Sequence, residues 1–451
     1  MKNTNLKSYK IVTFGCQMNA RDSEKLAGVL EEKGYTEATD EDTADIVIFN
    51  TCTVRENANQ KLYGHIGQLK KSYLTNRNKI IGICGCMMQE KDEVEKIVEK
   101  YPQVKLIFGT HNIDEFGSLI EEVIGSNKKV IRVYDKSNNV EKTLPTKRVF
   151  GFKCGINIMF GCNNFCTYCI VPYVRGRERS RDVDSIVKEI KSSINDGVVE
   201  VMLLGQNVNS YKGIASQSYK FKNNNDVTFP ELLNEVAKID GLKRVRFMTS
   251  HPKDLSDDLI DVIKNNSNIC RHIHLPVQSG SNSILKAMNR HYDRDSYLRV
   301  IDKIRSNIDD VGITTDIIIG FPGETENDFE DTLKLINQVS YDAVFTFEYS
   351  KRTGTKAAEM DNQVPEDIVK ERFKKLLKVV EENSGKNIDR YVGRVMDVLV
   401  ESEDKISGKL TGRLSNNYLV HFNGSQNLIG KIINVKLVKG CKFYFEGEAL
   451  L

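Results

Sequence analysis

The chain has 451 residues, of which 40% are hydrophobic and 28% charged, and its formal net charge is +3. No stretch approaches the about 20 apolar residues that a membrane-spanning helix requires, and the polar N-terminus lacks the pattern of a secretory signal. We therefore expect no membrane association, and we expect a cytoplasmic globular protein of about two to four domains.

Residues 8–126 alternate apolar runs with amphipathic segments, a pattern typical of an open parallel α/β domain. A helix is predicted over residues 23–33, with Gly34 as its C-terminal stop. Residues 127–147 are polar and weakly patterned, and they are predicted to form a linker. The predicted strands of this domain lie at residues 10–14, 45–50, 79–84 and 105–109.

Three cysteines, Cys16, Cys52 and Cys86, lie just past the ends of three of these strands. The carboxyl ends of parallel strands border one crevice, so the three thiols are expected to converge. Three thiols without a fourth fit a 4Fe–4S cluster that leaves one iron open, although small thiols also simply pack well at strand ends. Cys84 is an alternative to Cys86, but it continues the apolar strand, and we interpret it as a core residue.

Residues 148–380 contain six more strand candidates, each followed by a helical pattern. Six β/α units predict a partial barrel whose functional face lies at the C-terminal ends of the strands. Residues 381–451 consist of short strands and turns, which predict a small all-β, OB-like barrel. The six strands are predicted at residues 156–160, 199–205, 244–249, 272–277, 314–320 and 343–349.

A second set of cysteines, Cys162, Cys166 and Cys169, follows the first strand of this barrel with the spacing C-x3-C-x2-C. This spacing favours a second 4Fe–4S cluster with an open iron, which a small molecule can chelate. A zinc site that borrows a remote ligand and a group of buried thiols are the alternatives. The isolated cysteines are expected to be buried thiols; they are Cys154, Cys270 and Cys441.

The motif "CNNFCTYC" after the first barrel strand resembles the radical S-adenosylmethionine (SAM) enzymes. The motifs "GCQMN", "NTCTVRE" and "GCMMQ", together with a TRAM-like C-terminal barrel, are similar to the methylthiotransferases of that superfamily. This resemblance covers essentially the whole chain. The motifs around Cys16 and Cys52, which include Arg55-Glu56, are most similar to the branch that acts on N6-isopentenyladenosine in tRNA.

The resemblance implies a transferase with two 4Fe–4S clusters, one on Cys16, Cys52 and Cys86 and one, which binds SAM, on Cys162, Cys166 and Cys169. One SAM would provide a methyl group, and a second would provide the radical that activates C2 of N6-isopentenyladenosine 37. The implied partners are the anticodon stem-loop of tRNA, an electron donor such as flavodoxin or ferredoxin, and a sulfur or cluster donor. We expect a monomer.

The resemblance also marks residues of the cofactor and substrate pocket, all near strand ends of the barrel. For Ser279 and Gly320 a helix cap and a turn are the alternative roles. The cofactor-binding candidates are Gln206, Asn207, Gln278, Ser279, Asp316 and Gly320.

Basic residues are concentrated around the second cysteine set: residues 142–181 contain eight Lys or Arg and one acidic residue, Glu178. Such a run is either a solvated loop or an anion-binding surface. On an extended segment, alternation would direct four arginines to one side, toward tRNA phosphates or the carboxylate of the cofactor. The RNA-binding candidates are Arg175, Arg177, Arg179 and Arg181, with Arg413 and Tyr418 in the C-terminal barrel.

Three alternative functions stay open at this point. The same chemistry on threonylcarbamoyladenosine in tRNA and the same chemistry on a ribosomal protein differ from the first interpretation only in substrate. A non-catalytic RNA-binding iron–sulfur carrier or sensor belongs to another class. Two cysteine sets that each leave an iron open argue against a carrier, because carriers generally have all four ligands supplied.

Overall fold

The computed structural model describes residues 7–53, 56–136, 144–217, 219, 221 and 226–450, and only the backbone of residues 56–59. Arg55 and residues 137–143 of the predicted linker, with Lys142, therefore lie outside the described residues, as does the Glu56 side chain. None of the helices in the described part is long and apolar enough to cross a membrane. The chain forms two compact units: Met1–Phe150 with Gly155–Asn163 and Ile170–Glu189, and Gly151–Cys154 with Asn164–Cys169 and Ile190–Leu451.

The first unit contains a six-stranded parallel sheet with the order β2-β1-β3-β4-β5-β6. Its strands are β1 (Ser8–Thr13), β2 (Thr36–Glu37), β3 (Ile46–Thr51), β4 (Ile80–Gly85), β5 (Val104–Phe108) and β6 (Val130–Arg132). Its helices are α1 (Gln17–Glu32), α2 (Glu56–Thr75), α3 (Lys91–Lys100) and α4 (Phe116–Ser126). The open parallel α/β fold and the four predicted strands are confirmed. Strands β2 and β6 were not predicted, because they are only two and three residues long.

Both faces of this sheet are buried, which explains the continuous apolar runs of its strands. Along β3, Ile46 and Ile48 pack into one core cluster, while Val47 and Phe49 pack into the cluster on the opposite face. Cys84 is fully buried in the first of these clusters, so its interpretation as a core residue is confirmed.

The described ends of the predicted linker pack against the first unit. Residues 130–132 form the edge strand β6. Further along, the Lys147 amide donates to the Glu24 carbonyl oxygen at 2.9 Å. A Cβ atom at Gly28 of α1 would lie 2.4 Å from the Pro145 backbone. The end of the predicted linker therefore packs closely on α1, whereas the weak sequence pattern indicated a free linker.

Between the sheet and the barrel the chain forms β7 (Lys153–Asn157), β8 (Met159–Phe160), α5 (Val171–Val174), β9 (Arg179–Ser180) and α6 (Val183–Asn195). Strands β8 and β9 pair antiparallel in the first unit. The predicted first barrel strand, 156–160, is thus divided into β7, which begins three residues earlier, and the short β8.

The second unit continues the β/α alternation. Its strands are β10 (Glu200–Leu204), β11 (Lys212–Ile214), β12 (Asp226–Thr228), β13 (Arg244–Met248), β14 (His272–His274), β15 (Gly312–Ile319) and β16 (Ala343–Glu348). Its helices are α7 (Phe229–Ala237), α8 (Asp257–Asn265), α9 (Asn282–Ala287), α10 (Arg294–Asn307), α11 (Glu326–Val339) and α12 (Glu366–Asp389).

Two three-stranded sheets, β13-β10-β7 and β14-β15-β16, make up the barrel wall. Backbone hydrogen bonds join them: the Val245 amide donates to Asn268 O at 2.8 Å, and the Cys270 amide donates to Val245 O at 2.9 Å. The predicted six-strand partial barrel is therefore confirmed. Its six strands run in chain order, so their carboxyl ends share one rim.

A closed five-stranded barrel ends the chain, as predicted, with the order β17-β18-β19-β21-β20. The strands are β17 (Val395–Glu403), β18 (Leu410–Leu414), β19 (Leu419–Asn423), β20 (Ile432–Cys441) and β21 (Tyr444–Leu450). Arg244 and Arg246 of β13 donate hydrogen bonds of 2.7 Å to the Arg413 and Leu414 carbonyl oxygens. Buried guanidinium groups thus fix the small barrel to the rest of the second unit.

Candidate functional site

The cysteines of the first unit follow three adjacent strands of its sheet. Cys16 is the N-cap residue of α1 directly behind β1, Cys52 follows β3, and Cys86 begins a short 3-10 helix behind β4. Because β1, β3 and β4 are neighbours and parallel, the three residues lie at one edge of the sheet.

Glycines before two of these cysteines allow the backbone to approach Cys52 closely. Gly15 and Gly85 have φ angles of +125° and +99°. A Cβ atom at Gly15 would lie 2.6 Å from the Cys52 Cβ atom, and one at Gly85 would lie 2.3 Å from the Thr51 carbonyl oxygen. Only glycine fits such positions without displacement of the neighbouring chain. The shared Gly-Cys sequence therefore brings both turns against the turn that carries Cys52.

The charges around Cys86 set the acidity of its thiol. Burial raises the pKa of Cys86 to about 11; Arg175 opposes this shift, and Cys52 and Cys16 add to it. Cys52 lies beside the turn that carries Cys16, and Cys86 is near enough to both thiols to be affected by their charges. Among the described residues, no group of three His, Cys, Asp or Glu side chains has an arrangement that could hold a metal ion, so the cluster ligands stay a prediction.

Arg175 is the central residue of this site, although the sequence predicted a role in RNA binding. Its guanidinium donates to Cys86 Sγ at 3.2 Å, to Asn19 Oδ1 at 3.0 Å and to Asp22 Oδ2 at 3.1 Å. The side chain is only 4% exposed. The RNA-binding prediction for Arg175 is therefore wrong, because its charge is buried against a carboxylate and a sulfur.

Arg181 is also buried, and its RNA-binding prediction is likewise wrong. Its guanidinium donates to the Asn157 carbonyl oxygen at 2.8 Å and forms an ion pair with Glu189 at 2.6 Å. The expected extended run is absent among the described residues 175–181, where only Arg179–Ser180 is a strand. Arg177 is exposed and Arg179 is half-buried, so these two stay candidates for phosphate contacts.

The second cysteine set lies on one loop whose halves belong to different units. In the first unit, the Cys162 amide donates to the Gly176 carbonyl oxygen at 3.1 Å. Gly161 has a φ of +75°, and a Cβ atom there would lie 2.1 Å from the Arg177 carbonyl oxygen. A positive-φ glycine thus precedes Cys162, as it precedes Cys16 and Cys86.

In the second unit, the connection between α9 and α10 supports the part of the loop that holds Cys166 and Cys169. The Thr167 amide donates to Met288 O at 3.1 Å, and the Asn289 side chain donates to Phe165 O at 3.1 Å. The buried Arg290 donates to Cys166 Sγ at 3.4 Å. Each cysteine set therefore has one buried arginine that donates to a sulfur atom.

Polar side chains gather at the strand ends of the second unit. Asn207, behind β10, and His251, behind β13, are buried. The Asn207 amide donates to Asp254 Oδ2 at 2.7 Å, while Asn207 Oδ1 and His251 Nε2 have no hydrogen-bond partner in the described part of the chain. Burial and the nearby Arg290 lower the pKa of His251 to about 2, so the ring is neutral. Unsatisfied buried polar atoms at a barrel rim indicate a site for a polar ligand.

Backbone strain marks the same rim. Thr249 and Gln278, behind β13 and β14, have φ angles of +71° and +74°. Such angles are uncommon for residues other than glycine and are concentrated at functional sites. The strained Gln278 is held by hydrogen bonds of 2.9 Å on both sides, from its amide to Asp316 O and from the Ile318 amide to its own carbonyl oxygen.

The other cofactor-binding candidates differ in their surroundings. Gln206 is half-buried and Asp316 is partly exposed, so their predicted contacts stay predictions. The Gly320 amide donates to Glu324, and its φ of +70° fits a turn. The Ser279 hydroxyl is buried, pairs with Thr332 Oγ1 at 3.3 Å and accepts from the Ser281 amide. The prediction for the Ser279 hydroxyl is therefore corrected to a packing role.

Tyr418 of the C-terminal barrel is not available to stack on RNA. Its hydroxyl donates to Asp342 Oδ1 at 3.0 Å, and its ring lies 5.4 Å from Phe445 in the barrel core. The predicted contact is wrong because the ring is an interior aromatic residue. Arg413 forms an ion pair with Glu401 at 3.1 Å and is partly exposed, so its RNA contact stays a prediction.

Sequence reasoning missed several residues of these sites. Asn19 lies inside the motif "GCQMN" but was not predicted as a site residue, and Asp22 and Arg290 lie outside the quoted cysteine motifs. His251, in the segment "TSHPKD" after β13, was not among the predicted site residues. The useful signal was its position directly behind a barrel strand.

Comparison with known families agrees with this architecture. The Radical SAM superfamily model matches residues 156–336, and the TRAM domain model matches residues 389–450. Residues 8–109 match the model described as uncharacterized protein family UPF0004. The partial barrel and its three-cysteine loop define a radical SAM enzyme, a class that uses a 4Fe–4S cluster and SAM.

Relatives that match almost the whole chain identify the family within this class. A tRNA-2-methylthio-N(6)-dimethylallyladenosine synthase of Lachnoclostridium phytofermentans is 52% identical over 444 residues, which cover 98% of this chain and 95% of that protein. The synthase of the same name from Clostridium tetani is 52% identical over 443 residues, with 98% and 96% covered. The chain belongs to the tRNA-2-methylthio-N(6)-dimethylallyladenosine synthase family.

A solved structure supports the fold at much lower identity. The radical S-adenosylmethionine methyltransferase TsrM from Kitasatospora setae, with cobalamin and a 4Fe–4S cluster bound, matches with a TM-score of 0.55 and 14% identity. The match covers 78% of this chain and 74% of that protein. At this identity the likeness concerns the fold alone.

Proposed function

We propose that this protein is a cytoplasmic tRNA methylthiotransferase that converts N6-isopentenyladenosine 37 to 2-methylthio-N6-isopentenyladenosine. The names of relatives that match 98% of the chain support this substrate. The observation that carries the proposal is the separate cysteine triad at three adjacent strand ends of the first unit. An enzyme that only cleaves SAM needs one cluster, whereas sulfur insertion needs a second site that supplies sulfur.

The two cysteine sets have the donor atoms that iron–sulfur clusters require. We propose that Cys162, Cys166 and Cys169 hold the cluster that binds SAM, and that Cys16, Cys52 and Cys86 hold a second 4Fe–4S cluster. When bound, the first cluster would supply the electron for reductive cleavage of SAM, and the second would supply sulfur. One SAM molecule would provide the methyl group, and another would provide the radical.

The protein contributes charge and shielding to both sites. Burial alone favours the neutral thiol of Cys86, whose pKa is raised to about 11. The guanidinium of Arg175 favours the thiolate that binds iron. Arg290 donates a hydrogen bond to the Cys166 sulfur. Hydrogen bonds to charged groups of this kind contribute about 1.5–3 kcal/mol each.

The strand-end residues of the second unit supply groups for SAM. Asn207 Oδ1 and His251 Nε2 are buried and have no partner among the described residues, so a bound polar group gains hydrogen bonds there without displacing one. Because His251 is neutral, its Nε2 atom either donates or accepts according to the tautomer. Gln206, Gln278, Asp316 and Gly320 complete the proposed cofactor set.

The proposed partner is the tRNA anticodon stem-loop, whose single-stranded bases can be displaced into a protein pocket. Arg177, Arg179 and Arg413 are proposed to contact its phosphates, with affinity that falls as salt rises. The other proposed partners are an electron donor, such as flavodoxin or ferredoxin, and a sulfur or cluster donor.

Replacing Arg175 by Gln tests its effect on the second cluster. The change removes a buried positive charge from beside Cys86 Sγ and breaks the ion pair between Arg175 and Asp22. We expect a more negative reduction potential for this cluster and a lower iron content. A reductive titration followed by EPR in the background C162A/C166A/C169A measures this cluster alone.

Arg181→Gln is the matched control, since Arg181 lies on the same segment, is equally buried and pairs with Glu189. The potential should stay unchanged in this variant. An unchanged potential and iron content in Arg175→Gln would contradict the role of Arg175.

The reaction itself is tested with purified, anaerobically reconstituted protein. We expect nucleoside mass spectrometry to detect 2-methylthio-N6-isopentenyladenosine after incubation with SAM, a reductant and a prenylated anticodon stem-loop. Product only from a threonylcarbamoyl stem-loop, or only on a ribosomal protein, would contradict the proposed substrate.

A further inference from the structure

Strands β15 and β16 present one face to the helices and the other to the barrel interior. Along β15, Ile313, Thr315, Ile317 and Ile319 are fully buried. The intervening Asp316 therefore points to the opposite face, because side chains alternate along a strand. This opposite face ends at the rim that carries the polar strand-end residues.

Two aromatic rings of β16 lie on that interior face. Phe345 pairs in register with Asp316, and Phe347 pairs with Ile318, so all four side chains share one side of the sheet. Phe345 is 47% exposed and Phe347 is 43% exposed. Exposed neighbouring aromatic side chains on one face are a feature of binding surfaces rather than of packing.

The surroundings of this aromatic pair select the kind of ligand. The Phe345 ring lies 5.7 Å from the His274 ring in an edge-on arrangement. His274 Nε2 lies 3.5 Å from Asp316 Oδ1, so the carboxylate is directly beside the pair. A neutral hydrocarbon group fits such a surface, whereas a carboxylate on the ligand would be repelled by Asp316.

We propose that Phe345 and Phe347 bind the isopentenyl group of the substrate adenosine and select it over a threonylcarbamoyl group. This inference rests on the proposed function. The Gln278 amide, which donates to Asp316 O at 2.9 Å, links the aromatic pair to the rim where SAM is proposed to bind. The branched isopentenyl group buries its apolar surface against the two aromatic rings, so the prenylated base gains affinity there.

The test compares binding of two anticodon stem-loops that differ only in the prenyl group of adenosine 37. We expect the wild-type holoenzyme to bind the prenylated stem-loop at least about ten-fold more tightly than the unmodified one. The reason is the apolar area that the five carbon atoms of the isopentenyl group bury on binding. The variant F345A/F347A should lower this ratio toward one, and F345L/F347L, which keeps apolar side chains, should retain most of it. The same order is expected for the ratio of kcat/KM.

Phe443→Ala is the matched control, since Phe443 is an aromatic residue of the C-terminal barrel that is 52% exposed. The ratio should not change in this variant. Cleavage of SAM to 5′-deoxyadenosine shows that a variant is folded and contains its cluster. If F345A/F347A does not cleave SAM, the binding ratio is measured with the single variants F345A and F347A instead.

The outcomes separate the inference from the proposed function. Wild-type selectivity that persists in F345A/F347A would overturn the role of the aromatic pair and leave the proposed function intact. Failure of the wild-type holoenzyme to form any methylthiolated product from the prenylated stem-loop would instead overturn the proposed function.

Discussion

Replacing Cys162, Cys166 and Cys169 together by alanine is expected to abolish formation of 5′-deoxyadenosine from SAM. The reason is the loss of all three thiols that are proposed to hold the SAM-binding cluster, so the electron that cleaves the carbon–sulfur bond has no donor. The rate of 5′-deoxyadenosine formation should fall to the background level, and chromatography of the nucleoside products measures this rate. About half of the bound iron should remain, because the other triad is unchanged.

The control for this variant is Cys154→Ala together with Cys441→Ala. Neither residue belongs to a proposed ligand set, and Cys154 is buried. Full SAM cleavage is expected in the control. Reductive SAM cleavage that survives in the triple variant would show that the cluster is held elsewhere.

Replacing Cys16, Cys52 and Cys86 together by alanine is expected to separate the two reactions. SAM cleavage should continue, because the ligands of the other cluster are intact, while transfer of the methylthio group to tRNA should stop completely. Cleavage without sulfur transfer is the particular result that the two-site proposal requires. Mass spectrometry of the nucleosides and of 5′-deoxyadenosine in one reaction measures both.

Cys84→Ala is the matched control, since Cys84 lies two residues from Cys86 but packs into the hydrophobic core. Its loss leaves a small cavity and is expected to lower stability by about 1 kcal/mol without stopping sulfur transfer. Methylthiolation at the wild-type rate in the triple variant C16A/C52A/C86A would contradict the second cluster site.

Local sequence patterns were sufficient for the fold and for the cysteine positions. Apolar runs determine where buried strands form, and a cysteine directly behind a strand is placed at the sheet edge by topology alone. The Gly-Cys sequences at Cys16, Cys86 and Cys162 carry further information, because each glycine has a positive φ. Such a glycine indicates a turn that brings its cysteine against a neighbouring chain segment.

Buried polar contacts between distant residues could not be predicted in this way. Arg175 and Arg181 were placed on a surface because a basic run is usually solvated. Arg175 is instead buried against Asp22, 153 positions earlier in the chain, and the buried Arg181 pairs with Glu189 of the following helix. Tyr418 contacts Asp342, 76 positions earlier in the chain. The local sequence pattern does not distinguish these side chains from exposed ones, because their burial depends on the residues that they contact in the folded chain.

The most direct test of the proposed function is nucleoside mass spectrometry of bulk tRNA from a strain that lacks this protein. We predict loss of 2-methylthio-N6-isopentenyladenosine, accumulation of N6-isopentenyladenosine, and restoration of the methylthio nucleoside by a plasmid copy of the wild-type gene but not by the C16A/C52A/C86A variant. Unchanged levels of 2-methylthio-N6-isopentenyladenosine in the deletion strain would contradict the proposed substrate.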